Sequence, residues 1–173
     1  LPSLKILQMP RTINFTMTND TLHNLQRLDT FEGPYDFELN NIQVLNSLKL
    51  TLIRPSVPYD FQKYLKQITY LSNPISLEII DLEASESLNL FAGINVSSLT
   101  LTNYKTFVLK SFSFVSLPNL KSLSIDSHSK IIIQQNGLRN LQDLEELTLY
   151  FSTVEHEFKA GTFNGLNHLK RIN

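Results

Sequence analysis

Leucine, isoleucine and phenylalanine recur along this chain in a fixed phrase. Leu117-Pro-Asn-Leu120-Lys-Ser-Leu123-Ser-Ile125 has the outline of Leu141-Gln-Asp-Leu144-Glu-Glu-Leu147-Thr-Leu149, and the step from Leu123 to Leu147 sets the period. The same step backward from Leu123 lands on Leu99, which opens Leu99-Thr-Leu101, and another lands on Ile75, which opens Ile75-Ser-Leu77. Forward, Ile172 arrives one position later than the period would put it, after Phe163-Asn-Gly-Leu166-Asn-His-Leu169-Lys-Arg. The last two apolar positions of each phrase are two apart, so they share one face of an extended segment and leave the residues between them on the other. Each phrase therefore predicts a short strand with one buried side, entered through a turn that carries the earlier leucines. Phe114-Val-Ser-Leu117, Leu138-Arg-Asn-Leu141 and Phe163-Asn-Gly-Leu166 supply a second apolar wall. One such unit cannot bury its apolar side alone, whereas units stacked in parallel share a continuous core.

Leucines three and four positions apart also describe an amphipathic helix, and Leu138 to Leu149 taken alone fits one. Four windows in register, each ending in an alternating apolar pair, favour the stacked strands. The amino-terminal part is less even. Leu1-x-x-Leu4-x-x-Leu7-x-Met9 keeps the pattern and Leu25-x-x-Leu28-x-x-Phe31 falls one period later, but Ile42-x-x-Leu45-x-x-Leu48-x-Leu50 arrives early. Either that repeat is short or Phe31 belongs to a loop, as the turn signal Gly33-Pro34 suggests. The expected architecture is one α/β solenoid over 1–173 with irregular repeats over 1–70, regular ones over 71–173 and about seven or eight units in all.

Composition narrows the class. The chain of 173 residues is 42% hydrophobic and 18% charged with a net charge of -1. That balance favours a packed core over a disordered chain or a polybasic arm. No apolar run approaches membrane-helix length, the longest being of the Ile131-Ile132-Ile133 kind. Without cysteine there is no disulfide, thiolate ligand or thiol nucleophile. The opening Leu1-Pro2-Ser3-Leu4 carries neither initiator Met nor signal peptide, as expected of an uncapped middle fragment that is poorly soluble by itself.

The period and the frame F-x-x-L-x-x-L-x-x-L-x-L resemble the leucine-rich repeat family, in the extracellular form found in Toll-like receptor ectodomains. The resemblance runs strongly from about Leu71 onward and loosely before it. It implies a parallel sheet along the concave side, with loops and short helical turns on the convex side. Such repeats usually place Asn five positions after the first strand leucine, where stacked amides form a ladder. Here those positions read Thr12, Ile80, Tyr104, His128 and Ser152, so no ladder is expected, a departure similar to the central part of some Toll-like receptors. The resemblance implies a non-enzymatic segment for ligand recognition and receptor pairing in innate immune signalling. It implies a protein or microbial ligand on the solenoid surface, a homo- or heterodimer of ectodomains, and a membrane helix outside this segment. A secreted adhesion or matrix protein, and then an intracellular scaffold, are the alternative readings.

Candidate sites are few. The N-x-S/T sequons at Asn14, Asn19 and Asn95 fit an extracellular chain. Asn14 is awkward, because the frame set by Leu7 gives it a core position unless Ile13 takes that slot. The histidines, His23, His128, His156 and His168, show no metal-ligand spacing, and Glu155-His156-Glu157 reads as a solvated loop. No phosphate-cradling or esterase motif occurs, so neither catalysis, a metal nor a cofactor is expected. Lys170-Arg171 beside His168 is the densest basic spot and reads as an ordinary turn, and the charge balance argues against nucleic acid. Outward strand positions are mostly small and polar. The candidate binding surface is Tyr150 and Phe151 with Glu146, Thr148 and Asp126, although Phe151 has the alternative of turning inward. Pro55-Ser-Val-Pro58-Tyr59-Asp60-Phe61 reads equally as a recognition loop or as the longer descending side of one repeat.

Overall fold

The computed structural model describes residues 6–8, 30–33, 47–53, 74–80, 91–103, 105–111, 113–151 and 157–173. Eleven strands occur among them: β1 (Ile6–Gln8), β2 (Thr30–Gly33), β3 (Ser47–Ile53), β4 (Ile75–Ile80), β5 (Val96–Asn103), β6 (Phe107–Leu109), β7 (Ser122–Ser127), β8 (Ile131–Ile133), β9 (Glu146–Phe151), β10 (Glu157–Phe158) and β11 (Arg171–Ile172). Eight of them form one parallel sheet in the order β1-β2-β3-β4-β5-β7-β9-β11, and β10-β8-β6 form a second of three strands. The chain is a parallel β-solenoid in which three successive coils contribute a strand to each sheet.

The core lies between the two sheets. On the large sheet Leu77, Leu99, Leu123 and Leu147 stand in one register-matched rank, and Ile79, Leu101, Ile125 and Leu149 in the next. On the small sheet Phe107 pairs with Ile131, and Leu109 with Ile133. Phe91, Phe114 and Leu138, followed by Ile94, Leu117 and Leu141, close the remaining side, and all of these are buried except the partly buried Leu149. Burying a side chain of this size contributes about 1.5–3 kcal/mol, so the stack holds because each coil supplies the other half of its neighbour's core. Identical main-chain bonds tie the coils together: Lys121 N–H to Ser97 O, Glu145 N–H to Lys121 O and Lys170 N–H to Glu145 O, each at 2.8 Å.

The turn after each bulky residue is also repeated. The amides of Ile94, Leu117, Leu141 and Leu166 donate to the carbonyls three positions back, on Phe91, Phe114, Leu138 and Phe163. The third residue of this turn has a positive φ at Gly93 (84°), Asn140 (81°) and Gly165 (93°). A type II turn requires this, and Gly and Asn allow it. Ser116 makes the turn without entering that region.

Four expectations change. The repeat at β4 opens on Leu77 and not on Ile75, because Leu77 pairs with Leu99 while Ile75 pairs with Val96. Ser97 is the extra residue of a bulge between them, visible as two successive half-buried positions, Ser97 and Ser98, between buried Val96 and Leu99. Phe31 lies in a strand, paired with Leu7 on one side and Leu48 on the other, so the early arrival of Leu48 is a short coil and not a loop. Among the described residues the short helical turns expected opposite the large sheet do not form, and helical geometry is confined to a 3-10 position at Phe91. The small sheet stands in their place. Phe107-Val-Leu109 and Ile131-Ile-Ile133 bury their first and third residues, and β-branched Val108, Ile131, Ile132 and Ile133 favour extended backbone.

The fourth change concerns the missing amide ladder. Buried polar side chains do stand in register after the strand leucines, one position earlier than expected, at Asn103 and Ser127. Asn103 Oδ1 accepts the Lys105 amide at 3.1 Å, and Ser127 Oγ donates to Lys105 O at 3.2 Å while accepting the Ser129 amide at 3.4 Å. His128 follows them and is exposed. The chain leaves the large sheet through these two residues, whose side chains replace the strand bonds that end there.

Candidate functional site

The outward face of the large sheet is built by alternation. Where Leu123, Ile125, Leu147 and Leu149 point inward, Ser122, Ser124, Asp126, Glu146, Thr148 and Tyr150 must point away. The parallel register sets Ser122 beside Glu146, Ser124 beside Thr148, and Asp126 beside Tyr150, with Thr102 on the other flank of Asp126. Four of the five candidate binding residues, Asp126, Glu146, Thr148 and Tyr150, thus share one face of two neighbouring strands.

Phe151 does not share it. Its register partner is Ser127, which is 1% exposed and faces the core, so Phe151 belongs to the inward rank. It is nevertheless 41% exposed. Its ring belongs with the inward rank and not with the strand face. Tyr150 is 58% exposed and projects outward as the alternation requires.

Within the face, two residues are held by the last coil. Glu146 Oε1 accepts from Arg171 Nη1 at 2.7 Å, and Thr148 Oγ1 accepts from Asn173 Nδ2 at 3.3 Å. Among the described residues the side chains of Asp126 and Tyr150 have neither a hydrogen bond nor an ion pair. A carboxylate and a phenol on adjacent strands are therefore the polar groups available to an incoming molecule, framed by the hydroxyls of Thr100, Thr102 and Ser124.

Beside this face the turn positions carry alternating charge. Lys170 Nζ lies 2.8 Å from Glu145 Oε2, and Lys121 occupies the same place one coil earlier. The hydrogen bond from Lys170, then its charge, then that of Lys121, hold the Glu145 carboxyl below its ordinary value of 4.5. His168 Nδ1 sits 2.9 Å from Gln142 O and 3.7 Å from Asp143 Oδ1. Lys170 and Arg171, the densest basic spot of the sequence, are thus both paired with glutamates of the preceding coil.

Of the sequons, Asn95 is half-buried just before β5. Its Oδ1 accepts from Asn119 Nδ2 at 3.3 Å, and the hydroxyl of Ser97 in the same sequon donates to Ile75 O at 3.4 Å. Asn14, Asn19, His23, Glu155, His156 and the segment 55–61 lie outside the described residues. Among the described residues no three His, Cys, Asp or Glu side chains converge on a point that could hold a metal, and no helix is long and apolar enough to cross a membrane.

Asn103 and Ser127, read from the sequence as outward strand residues, are buried instead, because alternation from Leu99-Leu101 and Leu123-Ile125 carries both to the inward side; the buried Ser113 and Thr162 escaped the sequence reading. They are structural: Ser113 Oγ and Thr162 Oγ1 donate to Lys110 O and Lys159 O at 2.8 and 2.7 Å, closing the turns that lead into Phe114 and Phe163. The recurrence of a small or hydroxyl residue immediately before each of Phe114, Leu138 and Phe163 is the signal that could have found them. No family model, no curated protein and no solved structure matches this chain.

Proposed function

We propose that this chain is a leucine-rich repeat segment of a Toll-like receptor-type ectodomain, non-enzymatic, that recognises a protein or microbial ligand and pairs receptor chains in innate immune signalling. The observation that supports the reading is the ranked outward face of the large sheet, where side chains from successive coils stand in register on a backbone fixed by a continuous core. A surface of this kind is preformed, so little ordering entropy is lost when a partner docks. A ligand that spans two such surfaces brings two chains together, and their proximity carries the signal. Asp126 and Tyr150 form the centre of the recognition face, with Glu146 and Thr148 held beside them by the last coil. Asn95 carries N-linked glycan on the flanking turn.

Secretion from a eukaryotic host, with intact mass recorded before and after enzymatic removal of N-glycans, tests the extracellular assignment. Loss of glycan mass with Asn19 and Asn95 converted to Asp is the expected result. A folded secreted product with no glycan at any sequon would count against an ectodomain and favour an intracellular scaffold. For the face itself, Tyr150→Ala and Asp126→Ala should each weaken capture of a ligand or second ectodomain by about tenfold, the scale of a moderate interface residue. Unaltered capture by both variants would remove the strand face from the reading.

A further inference from the structure

The sequence contains two Asn-Gly pairs, Asn136-Gly137 and Asn164-Gly165. This dipeptide is the most prone to lose its side-chain amide, because glycine offers no Cβ to keep its nitrogen away from the asparagine side chain. The fold places the two pairs in opposite circumstances.

Gly137 is buried, and its N–H donates to Gln134 O at 2.9 Å. The space around it is closed: a Cβ built there would lie 2.9 Å from Ile133 Cγ2 and 3.1 Å from the carbonyl oxygens of Gln134 and Leu109. The peptide between Asn136 and Gly137 therefore cannot swing toward the Asn136 amide without breaking a hydrogen bond and displacing packed backbone. Asn164 and Gly165 are both exposed. Among the described residues the Gly165 N–H has no acceptor and the Asn164 side-chain amide no hydrogen-bond partner, and nothing lies within 4 Å of the position a Gly165 Cβ would occupy.

We propose that Asn164 is a site of spontaneous deamidation in the folded protein and that the fold protects Asn136. The Gly165 nitrogen gives up its proton to hydroxide and attacks Asn164 Cγ. A C–N bond forms, the Cγ–Nδ2 bond breaks, and ammonia leaves with a proton from water, giving a cyclic imide. Water then opens the imide at either carbonyl, yielding aspartate or isoaspartate, so the net change is amide plus water to carboxylate plus ammonium. The isoaspartyl product carries an extra methylene in the backbone of the Phe163–Leu166 turn, adjoining the Phe158–Phe163 ring contact, whose centroids are 5.6 Å apart. Conversion therefore loosens the last coil as well as adding a negative charge to it.

The experiment is incubation of the full chain in mildly alkaline buffer, with and without denaturing urea, followed by peptide mapping that separates Asn, Asp and isoAsp. In urea both sites should convert at similar rates. In buffer Asn164 should convert within a few-fold of its urea rate, while Asn136 lags by about tenfold or more, since its reaction waits for local opening of the coil. Asn164→Gln should abolish the folded-state mass gain. Equal conversion of the two sites in the folded chain, or an Asn164 as slow as Asn136, overturns the proposal, and so does the absence of conversion at either site in urea.

Discussion

Gly137 stands where the neighbouring coils place Ser113 and Thr162, each of which closes its turn with a hydroxyl. The nearest obstacle to a side chain here is Ile133, whose Cγ2 methyl would lie 2.9 Å from a Cβ at this position. Gly137→Ala should cost about 1–3 kcal/mol as overpacking, and the added Ile133→Leu change, which removes the methyl branch, should return part of that loss in urea unfolding. Additive costs would locate the strain in the carbonyls of Gln134 and Leu109 instead. Ser127→Ala should cost about 1–3 kcal/mol, because it removes the buried hydroxyl that accepts from the Ser129 amide and donates to the Lys105 carbonyl at the exit from the large sheet. Ser127 was read as outward with Ser122, Ser124 and Asp126 because it is polar, although a spacing of two from Ile125 puts it inward. Gly137 was not legible, since a glycine's close neighbours are distant in the chain. Leu123 and Leu147 were legible because apolar identity and spacing of two together specify an inward rank.

Among the elements, the turn leading into β9 offers a charge test. Glu145 lies between Lys121 and Lys170, and its carboxyl is held below the ordinary value chiefly by the Lys170 hydrogen bond. Because the folded value is the lower one, the unfolded chain binds more protons between the two values. The stabilisation is complete above the unfolded value and disappears as the pH falls through the folded one. Glu145→Gln should therefore flatten the acid limb of a stability-versus-pH curve while leaving its shape at neutral pH intact. Added salt should shrink the same contribution, since the pair is exposed. An unchanged acid limb would mean that the bond does not persist in solution. At this scale the strands of the large sheet followed from alternation except β2, where the turn signal Gly33-Pro34 left Phe31 open to a loop reading, whereas β6, β8 and β10 did not follow from it. A strand of two or three residues is too short to show a period, and Ile131-Ile-Ile133 carries no polar residue to mark its outer side. The outward face that holds Asp126, Thr148 and Tyr150 was legible for the same reason as the core behind it. Phe151 was read both ways, and its pairing with Ser127 places it in the inward rank.

Across the whole molecule, stability should be greatest at β5 and β7, which have a sheet neighbour on each side and whose inward side chains are buried. Native-state hydrogen exchange should show the Leu99, Leu123 and Ile125 amides among the slowest and that of Gly165, on an exposed turn, among the fastest. A uniform profile would mean that the stack opens as one unit. The unequal spacing of the coils bears on how such a molecule can vary. Phe31 and Leu48 pair across a short stretch of chain and Leu48 and Ile75 across a much longer one, within the same sheet. Strand spacing, about 4.8 Å per coil, is therefore the ruler of the molecule, and chain length between strands is slack. Residues can be gained or lost on the turns without moving any rank of the face, and whole coils lengthen or shorten its reach in fixed increments. Both give an inherited surface two independent ways to change.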